Sequence, residues 1–321
     1  MAARLLLTGD LGRHKFVVRA GGVLELGDSV AVVLDGVGHA GTLRGFRAVF
    51  SPVVVVHHNF EPDYYADTYE GRWSKWLWVR AGWRAERLAA RYGDVHLFVT
   101  GEDSERFRAE FGVEAERCAV LGVQEEVKAL GPSLRPADDP RLRVVISGTM
   151  SDRKGALGLC ELLSLVRRER ERLKGRLYFV VVGRGATDEL RAWVDGKLVE
   201  LRENVPDVGA EARSCDVYVN PNYTGSGIKV RNLDGLRNGL PVLCRRENAA
   251  GFRDLPRDVF DVFATNEELL EMLLALRVDE VSSDDRRVAV HRAYASAFSI
   301  EEGVRRMREA LRAAGYGGVL S

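Results

Sequence analysis

Four consecutive valines at positions 53–56 constrain the fold more than any other run in the chain. A strand that is apolar at every position has to be covered on both faces. That is the situation of a strand inside a parallel sheet flanked by helices. The pattern recurs. Residues 4–8, 30–34, 95–100, 118–123, 142–147, 177–182, 199–201, 216–219 and 259–263 read as further short strands, and Pro241-Val242-Leu243 opens another. Helical stretches fall between them at 71–92, 102–111, 156–172, 188–193, 208–213, 228–237 and 266–276, with two more between 284 and 314. Strands that alternate with helices in both halves predict an α/β fold of two doubly wound, Rossmann-like domains with parallel sheets.

The length supports two cores: 321 residues and 35.6 kDa exceed what one compact domain usually holds. Residues 1–130 form the first predicted domain. Residues 131–140 contain Pro132, Pro136, Pro140 and the acidic pair Asp138-Asp139, which marks a linker. Residues 141–283 form the second domain, and the helices of 284–321 are expected to pack back towards the first. No repeat of solenoid period is present. Two such domains would meet across a cleft at the carboxyl ends of their strands, where open α/β sheets bind ligands.

Charge and cysteine usage narrow the function. Lys and Arg number 47 and Asp and Glu 47, so the chain is not a general polyanion binder and no nucleic-acid partner is expected; any basic site is local. The four cysteines, Cys118, Cys160, Cys215 and Cys244, form no Cys-x-x-Cys pair. They read as reduced core thiols of a cytoplasmic protein rather than as metal ligands. The N-terminus lacks a signal-peptide pattern, and no apolar run is long enough to span a bilayer.

The helix at 71–92 stands apart. Trp78, Ala81, Ala85, Leu88, Ala89 and Tyr92 recur at helical spacing as an expected buried face. Opposite them lie Arg80, Arg84, Arg87 and Arg91, with Trp73, Trp76 and Trp83 nearby. Arginine beside tryptophan suits a membrane–water interface. A solvated arginine face with packed tryptophans fits equally. The first reading predicts peripheral contact with an anionic membrane, at its inner face, through Trp73, Trp76, Trp83, Arg80 and Arg84.

Candidate site residues cluster at strand ends. Gly9-Asp10-Leu11-Gly12 follows the first strand, a position as common for a plain turn as for a ligand loop. The valine strand ends in His57-His58-Asn59-Phe60-Glu61, more polar chemistry than a turn needs. In the second half, three glycine–cation loops follow strands in order. The first contains Arg153, Lys154 and Gly155. The second is Gly183-Arg184-Gly185. The third is Gly225-Ser226-Gly227, followed by Ile228, Lys229 and Arg231. One such loop could be a solvated turn; three point to a bound diphosphate. Strand, glycine turn and helix start together offer backbone N–H groups to an anion. Lys229 and Arg231 fall in the expected first helical turn, where cations oppose the dipole, so a bound polyanion rather than helix propensity explains them. Asp234, about one turn further on, is placed to accept hydrogen bonds from sugar hydroxyls.

The run from Pro221 to Val242 resembles the donor-binding signature of GT-B glycosyltransferases of the group 1 (family 4) kind: a proline, Gly225-Ser226-Gly227-Ile228-Lys229, a nearby basic residue, an acid at Asp234, then Gly239-Leu240-Pro241-Val242. The Lys154-Gly155 loop, the Gly183-x-Gly185 loop, the His57-His58-Asn59-x-Glu61 strand end and Val99-Thr100-Gly101-Glu102 occur in the order that the family uses. The resemblance is strong over 142–245, partial over 53–123 and poor before residue 50. It implies the GT-B fold, a nucleotide-diphosphate-sugar donor, an acceptor of unspecified class, retention at the anomeric carbon, and neither cofactor nor essential metal. Lys154 and Lys229 would neutralise the departing diphosphate, helped by Arg153 or Arg231. Residues 225–228 would donate backbone N–H groups, Asp234 would hold the ribose, and His57 or His58 would lie near the transferred sugar. Gly12 would lie near donor phosphate or acceptor.

Three positions depart from the family pattern. Ser226 stands where many members have a second acid, Asp234 is one methylene shorter than the usual glutamate, and Thr149 replaces an arginine after the glycine of the first second-domain strand. These departures motivate an alternative, a catalytically weak or inactive relative that binds or assembles. A nicotinamide-dependent oxidoreductase would rest on Gly183-Arg184-Gly185 alone, without the third glycine of the dinucleotide fingerprint.

Overall fold

The computed structural model describes residues 6–10, 15–19, 25–26, 29–30, 32–47, 50–150, 153–222 and 228–317. The chain divides into two compact units. One contains Met1–Gln124 and Ile300–Ser321, the other Glu125–Thr224 and Lys229–Ser299.

The first unit opens with two antiparallel pairs. Strand β1 (Leu6–Asp10) pairs with β2 (Lys15–Arg19), and β3 (Glu25–Leu26) with β4 (Ser29–Val30). The expectation that the first strand leads a parallel sheet is corrected. Only four residues connect β1 to β2, and a connection that short joins antiparallel neighbours. The parallel sheet of this unit is β5 (Val32–Asp35), β6 (Val53–His57), β7 (Val95–Phe98) and β8 (Cys118–Val120), in that spatial order.

The valine run makes β6 the centre of two apolar layers. Side chains alternate across a strand. Val53 and Val55 therefore pack with Leu34, Leu43 and Ala89, while Val54 and Val56 pack with Val95, Leu97, Ala310 and Leu311. The helices that cover the sheet are α1 (Leu43–Arg47), α2 (Glu61–Thr68), α3 (Lys75–Tyr92) and α4 (Gly101–Phe111), together with the C-terminal helix Ile300–Leu311. Local chemistry sets the ends of α4. The Thr100 hydroxyl accepts a hydrogen bond from the Asp103 N–H at 3.1 Å, and Gly112 closes the helix in the left-handed conformation at φ 64°.

Two helical expectations change. Helix α2 went unread, although Pro62 lies in its first turn, where proline starts helices. Helix α3 begins at Lys75 rather than residue 71, and its buried face is Gly82, Glu86 and Ala89. Trp78 and Ala81 are exposed. Gly82 sits on this face because a Cβ there would lie 3.0 Å from the Pro62 nitrogen, so α2 and α3 pack closely at a residue without a side chain.

In the second unit, β9 (Leu142–Thr149), β10 (Leu177–Arg184), β11 (Val199–Glu203), β12 (Val217–Asn220), β13 (Val242–Arg245) and β14 (Phe260–Phe263) form one parallel sheet of order β11-β10-β9-β12-β13-β14. Its helices are α5 (Arg153–Arg168), α6 (Arg170–Leu173), α7 (Asp188–Ala192), α8 (Val208–Arg213), α9 (Asn232–Arg237), α10 (Asn266–Ala275), α11 (Val278–Val281) and α12 (Asp284–Phe298). Strand order reverses between β9 and β12. That reversal is the topological switch point of a doubly wound sheet, and ligands bind beyond the strand ends there.

The proline-rich run at 131–140 is no free tether. Arg135 donates to Asp216 at 2.6 Å, an ion pair almost wholly buried, and also to the carbonyls of Pro136, Asp139 and Arg141. The Leu134 N–H donates to the Arg213 carbonyl at 2.9 Å. A buried carboxylate needs a charged partner, and Asp216 finds one in this segment.

Removing a buried side chain from the C-terminal helix tests its place in the first core. Leu311 is 1% exposed, and Leu311→Ala is expected to lower that unit's stability by about 2–5 kcal/mol, read as a lower urea midpoint of its unfolding transition.

Candidate functional site

Of the second-unit residues singled out from sequence, Gly183, Arg184 and Arg231 lie at the strand ends around the switch point. Gly148 and Thr149 end β9, Gly183 and Arg184 end β10, and Asn220 ends β12 with Pro221 and Asn222 beyond it. Gly148, Thr149, Met150, Pro221, Asn222 and Arg231 line a recess there.

Its glycines are required by space. A Cβ on Gly183 would lie 1.9 Å from the Gly148 carbonyl oxygen, and one on Gly148 would lie 2.6 Å from Arg231 Nη1. The Arg231 guanidinium therefore rests against the backbone at the end of the first strand. Gly158, in α5, is held just as closely: a Cβ there would lie 2.5 Å from the Pro221 carbonyl oxygen. Gly185 turns the chain after β10 at φ 71°, a conformation that favours glycine.

Helix α9 is shorter than expected. It starts at Asn232, so Ile228 and Lys229 precede it and Arg231 is its N-cap residue. The expected placement of Lys229 and Arg231 in a first helical turn is corrected. The start is fixed instead by Asn232, which is fully buried. Its side-chain oxygen accepts from Asn220 Nδ2 at 2.8 Å, and its Nδ2 donates to the Asn248 carbonyl at 3.2 Å. Asn248 in turn donates to the Asn222 carbonyl. This asparagine chain ties the exit of β12 to the start of α9 and to the segment after β13. Sequence reasoning missed it. The residues lie 12 and 16 apart in the chain, and the only local signal was amide side chains at strand ends.

Gly12, Gly225, Ser226 and Gly227 lie outside the described residues. Arg153 and Lys154 open α5, at the exit of the loop after β9.

Asp234 faces a second feature of this unit. A cavity of about 570 Å³ is lined by Glu125, Lys128, Asp207, Asp234, Arg237 and Tyr294, among others, and such a volume is that of a small-molecule site. Arg237 bridges Asp234 at 3.2 Å and Glu125 at 3.0 Å, and the Tyr294 hydroxyl donates to Glu125 at 2.7 Å. Burial holds the Asp234 carboxyl above its usual range; Arg237 opposes that and Glu125 adds to it. Glu125 is a further polar residue that sequence reading overlooked, because the segment around it has no motif.

The two histidines of the first unit separate sharply. His57, expected near a transferred sugar, is 1% exposed and belongs to the core. Both ring nitrogens are engaged there: Nδ1 lies 3.1 Å from Glu86 Oε2 and Nε2 lies 3.1 Å from His96 Nδ1. The ring also stacks on Phe98 at 4.4 Å. The reason is the end of the strand: β6 is buried on both faces through His57, and His58 lies beyond it. His57 continues the valine strand, where its neighbours are aromatic. His58, one residue on, points outward and pairs with Asp35 at 2.6 Å, both side chains being more than half exposed. The hydrogen bond to Asp35 raises the His58 pKa, with burial opposing. The polar groups presented at the ends of β5 and β6 are therefore His58 and Asp35, with Glu61 near enough to favour the charged imidazole.

Burial pushes Glu86 up to about 8 and His57 down to about 3, and lowers His96 as well. It thus favours the neutral form of all three groups; a neutral Glu86 can donate to His57 Nδ1, which leaves His57 Nε2–H facing His96 Nδ1. Glu86 Oε1 accepts from the Glu61 N–H at 3.1 Å.

Residues 141–275 match the family described as glycosyl transferases group 1. No curated protein sequence matches the chain. Solved structures do. TarM of S. aureus aligns with TM-score 0.63 at 12% identity, covering 88% of this chain and 54% of TarM. Anabaena HepE in complex with UDP aligns with TM-score 0.63 at 14% identity, covering 88% of this chain and 78% of HepE. Sucrose-phosphate synthase from Thermosynechococcus elongatus aligns with TM-score 0.62 at 14% identity, covering 88% and 73%. The chain thus spans about half the length of TarM. The family match covers residues 141–275, less than half of the chain, and the solved structures show that the chain has the GT-B fold.

The buried triad makes a stability prediction. Glu86 has a folded pKa above its ordinary 4.5, so its contribution is complete below 4.5 and is lost as pH rises through about 8. His57 has the opposite sign: its contribution is complete above 6.5 and is lost as pH falls through about 3. Glu86→Gln keeps a donor for His57 and an acceptor for Glu61, so it should remove the alkaline loss and keep the acid one. Glu86→Ala leaves both partners unsatisfied and should cost roughly 1–3 kcal/mol for each. Melting temperatures between about pH 3 and 9 check both.

Proposed function

We propose that this chain transfers a glycosyl group from a nucleotide-diphosphate-sugar to an acceptor. The observation that carries the reading is the match of residues 141–275 to the group 1 glycosyltransferases, on a sheet whose switch point brings Arg231 to the end of the first strand. The diphosphate binds beyond the ends of β9, β10 and β12. Lys154 and Lys229, assisted by Arg153 or Arg231, neutralise the charge that develops on the departing nucleoside diphosphate. Fixed cations aimed at a leaving group lower the barrier because they need no reorganisation as the bond breaks. Gly183 and Gly185 allow close backbone approach. Residues Gly225, Ser226, Gly227 and Ile228 contribute backbone N–H groups. Asp234 accepts from the ribose hydroxyls at its cavity.

HepE binds UDP, which makes a uridine nucleotide the first to try with this chain. His58, exposed and paired with Asp35, takes the role of contact to the transferred sugar; His57 does not. Transfer proceeds with retention and without an essential metal, a reading that rests on the motif resemblance of 221–242.

Calorimetric titration with UDP, GDP and ADP tests donor recognition; a folded protein that binds none of them overturns the proposal. Lys229→Ala removes a charge-assisted hydrogen bond and should weaken nucleotide binding by roughly tenfold to a hundredfold. Sugar release or transfer from the matching nucleotide sugar, unaffected by a chelator and followed by NMR at the anomeric proton, reads metal use and stereochemistry. Nucleotide binding without turnover on any acceptor pool would favour a binding or assembly role.

A further inference from the structure

The amino-terminal part of α3 and the turn before it expose more aromatic surface than any other described segment. Trp73 is 84% exposed, Trp76 61%, Leu77 45% and Trp78 38%. Large rings are ordinarily buried for most of their area, and adjacent exposed ones mark an interaction surface. The patch has a charge of one sign. Between 72 and 92 stand six basic residues, Arg72, Lys75, Arg80, Arg84, Arg87 and Arg91, against one acid, Glu86, which is fully buried. In a chain with zero net charge, this is a local arrangement rather than a general excess.

Geometry puts the two features on one side. At about 100° per residue, Trp76, Arg80, Arg84, Arg87 and Arg91 fall within roughly 80° of one another, and all five are exposed. Gly82, Glu86 and Ala89 face the core on the other side. Among the described residues, Arg80, Arg84 and Arg87 form no ion pair. Trp83, expected on the exposed face, is corrected. It packs edge-on against Phe60 at 5.4 Å and against Phe111 at 6.2 Å, so it anchors the helix and leaves Trp73 and Trp76 outside. Trp78 is half held, stacked on Tyr69 at 5.1 Å. No described helix is long and apolar enough to cross a membrane.

We propose that this face docks on an anionic lipid surface, with Trp73, Trp76 and Leu77 entering the headgroup–acyl boundary and the arginine stripe lying along the lipid phosphates. Indole rings suit that boundary because the ring is apolar and its N–H still finds a partner. Guanidinium groups pair with phosphate and are drawn to a negative leaflet within a Debye length. A protein partner would have to supply an acidic, aromatic-accepting groove; a lipid surface supplies both properties without shape complementarity.

The test is co-sedimentation of the full chain with phosphatidylcholine vesicles, with and without phosphatidylglycerol. The expected result is binding only to the anionic vesicles and its loss in high salt. Trp73→Ser with Trp76→Ser should abolish binding. Arg80→Ser with Arg84→Ser should weaken it by roughly tenfold or more. All four positions are exposed, so melting temperatures should stay at the wild-type value. Equal sedimentation with and without phosphatidylglycerol overturns the proposal. So does concentration-dependent self-association, without vesicle binding, that the double tryptophan variant loses, since the face would then belong to a second copy. Nucleotide titration of the same variants should be unchanged, which separates this face from the donor site.

Discussion

The contact between the ends of β9 and β10 governs the candidate donor site. A Cβ on Gly183 would lie 1.9 Å from the Gly148 carbonyl oxygen, so the two strands come to backbone contact beside the switch point. The missing Cβ of Gly148 leaves room for the Arg231 guanidinium. It also sets where the loops after both strands leave the sheet. Parallel strands side by side point all their carboxyl ends one way, and so their loops share a single rim. A cation delivered there by β12 and its following segment then serves the same space as the glycines of β9 and β10.

The asparagine chain is the second support. Asn220, Asn232 and Asn248 satisfy one another and nearby backbone in a buried place, where an unpaired amide would be costly. They tie the end of β12 to the start of α9 through neutral groups. In the first unit the comparable device is Glu86 with His57 and His96. It secures α3 to the sheet through a buried proton chain, and it takes His57 out of the chemistry.

How far the sequence could be read follows from these particulars. The largely apolar runs at 142–147, 177–182 and 216–219 identified the strands because a parallel strand buried on both faces is apolar on both. The glycine–cation loops were legible because each required residue type sits inside a short stretch. The start of α9 was not, since Asn232 has to find Asn220 and Asn248 across the fold. Nor was the pairing of β1 with β2, because an apolar run does not disclose which neighbour it takes. The division between His57 and His58 turned on where β6 ends: His57 is its last residue and buried, His58 lies beyond it and is exposed, and two adjacent histidines give no sign of which is which.

By itself, then, the sequence determined the α/β class, the two cores, the order of the glycine–cation loops and a stretch at 221–242 that resembles a group 1 motif. These depend on local composition and period, which covalent order carries directly. Only the tertiary structure decided that strand order reverses between β9 and β12, that Arg231 rests on Gly148, that Asp234 shares a cavity with Glu125 and Arg237, and that His58 rather than His57 is presented with Asp35. Each of these is a meeting of residues apart in the chain, and it is the packing within each unit, of its sheet with its own helices, that brings them together.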